Sequence, residues 1–449
     1  MHTGKRMTGD PLERLLSRPK FGIGPAVPRL EDIRQQLPRA QWLSRHRAIH
    51  VTGSQGKGSV TTLAAALFDA LGVRCGRYIS PHLLAASERI WINGSAPQDT
   101  ALRAAAQAFE AQEQAYLNVH PGEAFGAFEA LTALAFNAFA AAQVETAVLE
   151  AGIGGRHDAT RGAAGTLAAL TGIDLEHTAL LGAHEADILE DKADICPPGG
   201  LLIAGTLKPA LRERLGAHAA ARGFAVEDCS ASTGVTATGY TEHGALVDLR
   251  IDDLHVAGAQ TRLFGRVQLE NAALAILLVK RWLAREARWP GNTEFEAALR
   301  AMLSQNALPL RFTRVDEDPV TIIDIAHTGA ALRALTKTLD AVLGTEPCVF
   351  LIGVSSDKPA PYLLAALRPK AASFVFTRAR HRGYEPSALA QLAGDIPVHL
   401  AEDAAAAYAE ARALARARAV PLVVTGSAFL CAEVYMIAAG NDPAALSFL

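Results

Sequence analysis

The segment AIHVTGSQGKGSVTTLAAALFDAL, residues 48–71, sets the tightest limit on the fold. An apolar run, a glycine-rich turn and an Ala/Leu-rich helical pattern closed by Gly72 follow one another without a spacer. That order aims the free N–H groups of a helix start over the turn, an anion-binding arrangement that rests on a buried strand. The alternation then repeats. Apolar runs at 146–149, 167–171, 201–204, 320–325, 348–352, 373–377 and 422–425 are separated by helical patterns such as 127–142, 271–287, 330–342 and 404–417. Strands alternating with helices predict an α/β fold with mostly parallel sheets. Turn residues over 288–310, among them Pro290, Gly291 and Pro309, interrupt the pattern before it restarts. They divide the chain into a larger unit, 1–295, and a smaller one, 305–449. Residues 224–262 are rich in Thr, Gly and Val with alternating stretches such as 245–251, and predict a small antiparallel insertion.

Composition narrows the function classes. The net charge is only −3, which argues against a nucleic-acid or anionic-membrane partner. Cys75, Cys196, Cys229, Cys348 and Cys431 are far apart and odd in number, as expected of reduced thiols and not of a disulfide or zinc framework. The opening stretch, residues 1–16, has no apolar signal core. The most apolar stretch, 130–142, is broken by Thr132 and Asn137 and falls short of the roughly 20 residues of a membrane span. These features predict a cytoplasmic protein that acts on small molecules.

Within the opening turn, Gly53, Ser54, Gln55, Gly56, Lys57, Gly58 and Ser59 differ from the usual phosphate loop by one residue between the lysine and the hydroxyl. The glycines let backbone amides converge on phosphate, Lys57 adds a charge, and a hydroxyl at the helix start can reach Mg²⁺. Glu150 and His177 fall at or just beyond the ends of expected buried strands, where an open parallel sheet presents ligand-binding groups. With Ser59 and Ser80 they make an oxygen and nitrogen donor set suited to Mg²⁺ or Mn²⁺.

The extra glycine makes the turn G-[ST]-x-G-K-G-[ST], which resembles the ATP loop of the Mur ligase superfamily, and especially its folylpolyglutamate synthase and dihydrofolate synthase branch. Further segments are similar to that branch in the same order. They are Ser80–Leu83 with Glu88–Gly94, Phe128–Thr132, Leu149–Thr160, Leu175–Thr178 with Leu181 and Gly182, Asp191–Ala193, Gln268–Ala273, Asp324–His327, Asp357 with Lys358, and Thr425–Ser427.

The resemblance implies an N-terminal P-loop ATPase-type domain and a smaller C-terminal Rossmann-like ligase domain. Residues 53–59, Asn271, Arg311 and Asp324 would bind ATP. Ser59, Ser80, Glu150, His177 and a carbamylated Lys192 would hold one or two Mg²⁺ ions. Ser80, His82, Glu88 and Arg89 would lie beside a pterin-bearing substrate, and His327 near the incoming amino acid. Lys57, Lys192 and His327 would be the catalytic groups. The implied enzyme is a monomeric ADP-forming ligase joining L-glutamate to a pterin or folate carboxylate through an acyl phosphate. Departures include Ser54–Gln55 for Thr-Asn, Arg161 for Asn, Glu176 for Asp, Val267 for His, Leu310 for Gly, and Thr328–Gly329 for Asn-Pro. They cluster near the substrates. Two rival readings therefore stand beside the first: a specialised Mur-type ligase acting on another carboxylate, and a catalytically silent ATP-binding partner.

Overall fold

A computed structural model describes residues 11–37, 47–356, 358, 360–381 and 383–446; most of the opening stretch and Asp357 lie outside the described residues. The strands, in chain order, form three sheets. The first holds β1 (Ala48–Thr52), β2 (Cys75–Tyr78), β3 (Ile90–Ile92), β4 (Thr146–Glu150), β5 (Leu167–Leu170), β6 (Leu201–Ala204) and β7 (Ala225–Asp228), in the order β3-β2-β4-β1-β5-β6-β7. Only the β2–β3 pair is antiparallel. Strands β1, β4 and β5 are buried at every position. A strand covered on both faces reads as a continuous apolar run, which is why these three are visible in the sequence.

The second sheet is an antiparallel meander of β8 (Thr233–Thr241), β9 (Gly244–Ile251) and β10 (Leu254–Gln260). It is the expected insertion, but it starts at Thr233, because residues 225–228 join the first sheet as an edge strand. The third sheet has the order β11-β12-β16-β13-β14-β15, built from β11 (Thr313–Glu317), β12 (Val320–Ile323), β13 (Cys348–Ile352), β14 (Ala371–Phe376), β15 (Val398–Leu400) and β16 (Leu422–Thr425). It too is parallel except at its first pair.

The helix Asn292–Gln305 crosses the boundary drawn from turn residues. Its Phe295, Leu299, Met302 and Leu303 share a core with Val60 and Leu63 of the helix Lys57–Ala70, so it packs with the first sheet. The third sheet has cores of its own on both faces. Among the described residues no helix is long and apolar enough to cross a membrane.

Candidate active site

The phosphate loop leaves β1 between the ends of β4 and β5, with Val51 opposite Glu150 and Thr52 opposite Leu170. Its two left-handed glycines are Gly53, at φ 134°, and Gly56, at φ 84°. A Cβ on Gly53 would lie 2.0 Å from Thr171 Oγ1, so neither conformation nor space admits a side chain there. The following helix starts at Lys57 with no side-chain cap on its first amides, which leaves them to face the turn. Lys57 Nζ curls inside the loop and donates to the carbonyls of Gly53 (2.8 Å) and Ser54 (3.4 Å). Ser54 is fixed from behind by exchange with Asp174: its Oγ donates to the Asp174 carbonyl and accepts from the Asp174 amide.

Glu150 ends β4 against this helix start, and Gly58 makes room: a Cβ on Gly58 would stand 3.4 Å from Glu150 Oε2. The same oxygen accepts the Ser80 amide at 2.9 Å. Burial pushes the Glu150 carboxyl up to about 7, although Lys57 and Arg311 pull it down. The segment after Ser80 is folded by its own charges. Glu88 accepts the amides of Leu83, Leu84 and Ala85, each at 2.9 Å, and Arg89 Nε donates to His82 Nδ1 at 2.9 Å. Leu83 and Leu84 then pack against the core of the third sheet. Of the four residues expected beside the acid substrate, Glu88 therefore shapes the loop, and Arg89 orients His82.

Lys192 is fully buried and lies at the loop, donating to the Gly53 carbonyl at 3.1 Å and pairing with Glu176 at 2.9 Å. Lys192 is not a solvated surface lysine paired with its neighbours Glu190 or Asp191: Glu190 pairs with Arg214, and Asp191 accepts the Gly155 amide. Burial lowers the Lys192 pKa and Lys57 lowers it further, while Glu176 opposes them. His177 sits beside this pair in an exposed turn, at φ 48°. Among the described residues no three His, Cys, Asp or Glu side chains gather as a metal cluster. Of the oxygen donors expected to hold a hard cation, the structure places the Glu150 carboxylate at the helix start with the Ser80 backbone against it.

The third sheet brings its own groups to the loop. Asp324 follows β12, and its carboxylate accepts the amides of Phe312 (2.9 Å) and Ala326 (2.8 Å). The turn so held places Arg311 between two left-handed residues, Leu310 and Phe312. Burial lowers the Arg311 pKa, while Asp324 and Glu150, one carboxylate from each α/β unit, oppose it. His327 Nδ1 lies 2.9 Å from the Ile325 carbonyl, and Nδ1 is the donor there because a carbonyl only accepts. Thr328 caps the helix Gly329–Leu343 and accepts a 2.6 Å hydrogen bond from Gln55 of the phosphate loop.

A cleft of about 800 Å³ runs between the units, lined by Ser54–Gly56, Asn271, Arg311, Asp324 and Phe312, with Thr233–Ala237 of the insertion on one side. Asn271 fits against the loop because position 56 is glycine: a Cβ there would be 2.6 Å from Asn271 Oδ1. Sequence reasoning missed two contributors, Glu176 as the partner of Lys192 and the Gln55–Thr328 bridge, and also Arg29, whose partners do not line the cleft. Arg29 pairs with Glu123 and Glu129 and donates to the Ile23 carbonyl, which pins residues 21–24 beside 123–126. In the sequence Glu176 and Thr328 stand out only as departures from a family pattern, and Gln55 as a loop residue expected to bind ATP, not as partners. Arg29 carries no local signal, because its partners are about a hundred residues away.

Comparison with known proteins gives a consistent result. Residues 310–428 match the family described as Mur ligase, glutamate ligase domain. A dihydrofolate synthase/folylpolyglutamate synthase of Mycobacterium tuberculosis is 32% identical over 400 residues, covering 86% of this chain and 81% of the relative. A probable bifunctional folylpolyglutamate synthase/dihydropteroate synthase of Haloferax volcanii is also 32% identical; the match covers 86% of this chain, which spans only 45% of that longer protein. Among solved structures, the Mycobacterium tuberculosis folylpolyglutamate synthase complexed with ADP superposes with a TM-score of 0.83 at 30% identity, over 96% of this chain and 99% of the other.

Proposed function

Because the chain belongs to the folylpolyglutamate synthase and dihydrofolate synthase family of Mur-type ligases, we propose that it joins L-glutamate to a pterin or folate carboxylate, with ATP converted to ADP and phosphate. The supporting observation is the convergence of Lys57, Glu150 and Lys192 on one glycine-rich turn, with Arg311 of the glutamate ligase domain lining the same cleft. A catalytically silent ATP binder has no need of a buried carboxylate and a buried lysine beside that turn.

The chemistry follows in two steps. The substrate carboxylate attacks the γ-phosphate, giving an acyl phosphate and ADP; the glutamate amine then attacks the acyl carbon and phosphate leaves. In the first step Lys57, Arg311 and the helix amides hold the phosphoryl oxygens on which charge collects. Glu150, Ser59 and Ser80 would hold Mg²⁺, which supplies charge neutralisation on the phosphates. In the second step the amine must lose a proton. Burial lowers the His327 pKa, so its imidazole is neutral at pH 7, and with Nδ1 donating to Ile325 the other nitrogen can accept that proton. Closure of the two units over the cleft would exclude water from the acyl phosphate.

Lys192 would be carbamylated: its amine adds to CO₂ with loss of a proton, replacing a cation by an anion. Burial and Lys57 favour the neutral amine that this needs. A carbamate signal in the ¹³C spectrum after incubation with labelled bicarbonate, absent from Lys192→Ala, would support it; its absence from the active enzyme would rule it out.

The function is tested by phosphate release with MgATP, L-glutamate and bicarbonate, comparing dihydropteroate, a reduced folate and no acid. Turnover with dihydropteroate establishes dihydrofolate synthesis, and turnover with the folate establishes chain extension. Silence with both, alongside ATP binding, would sink the folate reading and leave a ligase for another carboxylate.

A further inference from the structure

Strand β2 (CGRY) is buried at every position, yet it carries a charge. Arg77 is 8% exposed and stands directly across from Trp91 in the antiparallel β2–β3 pair, with its guanidinium 4.3 Å from the indole ring centroid. Burial lowers its pKa to about 10, which leaves it a cation at pH 7. Burying a charge costs free energy that only its bonding partners can offset. One terminal nitrogen of Arg77 donates to the Glu88 carbonyl at 3.1 Å, and the other to Thr62 Oγ1 at 3.4 Å.

Those partners belong to two different parts of the active site. Thr62 lies on the helix Lys57–Ala70, whose first turn closes the phosphate loop, about 8 Å along it from Lys57 at 1.5 Å per residue. Glu88 is the hub of the segment 79–89 that joins β2 to β3. Its carboxylate holds the amides of Leu83, Leu84 and Ala85, while Arg77 holds its carbonyl. The base of the segment is closed by the Ile79 amide on the Arg89 carbonyl at 2.9 Å. Between base and hub stand Ser80, whose amide meets Glu150, and His82, which Arg89 orients. A guanidinium is a planar fork, and stacking on an indole fixes its plane, so Arg77 can set the spacing of a helix and a loop as a flexible ammonium cannot.

We propose that Arg77 is a positioning residue: it seats the segment 79–89, and with it Ser80 and His82, at a fixed distance from the phosphate loop. Arg77 does not line the cleft between the units and acts through Glu88. The kinetic consequence rests on the ligase reading above; the seating itself does not.

Two substitutions at Arg77 in the full chain test this. Arg77→Leu suits a buried strand but loses both hydrogen bonds, whereas Arg77→Lys keeps the charge and can reach one partner. Hydrogen–deuterium exchange without substrates reads the seating. In Arg77→Leu the amides of Leu83, Leu84 and Ala85 should exchange at least about tenfold faster, with those of β1 and β4 unchanged, and Arg77→Lys should recover part of the protection. Steady-state kinetics reads the consequence. With the acid that wild type uses, Arg77→Leu should raise the KM for the acid about 10- to 100-fold, the factor a hydrogen bond to a charged group is worth, and leave the KM for ATP within about twofold. Arg77→Lys should fall between. A residue that only supports the fold would instead raise exchange throughout and lower the active fraction without moving either KM. Should Arg77→Leu fail to fold, Trp91→Leu removes the stacking plane and leaves both hydrogen-bonding nitrogens, and should give the same pattern more weakly. Unchanged exchange at 83–85, or exchange raised throughout, would overturn the proposal. A wild-type protein that turns over no acid refutes the ligase reading, and the exchange result still decides the seating.

Discussion

Glu150 and Asp324 occupy equivalent places in the two α/β units, one closing β4 and the other following β12, each at the end of a buried parallel strand. Burial raises the pKa of both. Their partners separate them. Asp324 spends both oxygens on backbone amides, whereas Glu150 takes a single amide, on Oε2, and faces Lys57 and Arg311. Glu88 falls with Asp324, since it accepts three amides of its own loop. A strand-end carboxylate is thus free to take a ligand when its oxygens are left over and serves as a scaffold when the backbone has taken them.

The largest test of that distinction is Glu150→Gln. Glutamine keeps the shape and can still accept the Ser80 amide, but it loses the charge. Turnover should fall about 10²–10³-fold, the usual cost of removing one preorganised electrostatic partner. Stability should move the other way. A carboxyl with an ordinary pKa of 4.5 unfolded and about 7 folded favours the fold in its protonated form, and that contribution is lost as pH rises through 7. The variant should therefore be more stable than wild type at pH 8, by up to about 3 kcal/mol, and gain nothing at pH 4.5. Urea midpoints at the two pH values measure this; a variant that is less stable at pH 8 would place Glu150 among the scaffold residues.

Asp324→Asn should give the converse. Asparagine has one acceptor and an NH₂ where the turn needs two acceptors, so one of the Phe312 and Ala326 amides faces a donor. A loss of about 1–3 kcal/mol is expected, seen as a lower melting temperature. Turnover should suffer through a raised KM for ATP, because the turn carries Arg311. Should Asp324→Asn stay fully stable and lose turnover alone, Asp324 belongs with Glu150 and the comparison fails.

The same contrast explains what could be read from the sequence. Strands with every residue buried, such as AIHVT and TAVLE, and the glycine turn announced themselves, because backbone demands limit which residues can stand there. Strand β2 (CGRY) is buried at every position too, but its Gly76 and Arg77 break the apolar run, and three-residue β3 and edge strand β7 (AVED) are partly exposed; none of the three is legible in the sequence. Site residues were legible as motif letters, but not as roles: nothing in the sequence tells that Glu88 accepts three amides while Glu150 accepts one. Departures proved informative once placed. Leu310 stands where glycine is usual, and its φ of 54° shows why glycine is usual there. The left-handed backbone costs a non-glycine residue about 1–2 kcal/mol, and the fully buried leucine side chain offsets that with about 1.5–3 kcal/mol of burial.

The smallest effect concerns the bridge between the units. Gln55 and Thr328 each depart from the family pattern, and they touch, with Gln55 Nε2 donating to Thr328 Oγ1. This is the side-chain hydrogen bond that ties the phosphate loop to the capped helix of the ligase domain. A bond of this kind contributes about 0.5–1.5 kcal/mol net, so Gln55→Ala should raise the KM for ATP only two- to tenfold. Thr328→Val loses the bridge and also the cap on the Ala331 amide, adding about 1 kcal/mol of instability, whereas Thr328→Ser keeps both. In a double-mutant cycle Gln55→Ala and Thr328→Val should therefore couple, while Gln55→Ala and Thr328→Ser should be additive, because serine keeps the hydrogen bond that Gln55→Ala removes. Full additivity of Gln55→Ala with Thr328→Val would mean that the contact carries no energy, and that closure of the cleft rests on Leu83, Leu84 and the Phe264–Phe312 stack instead.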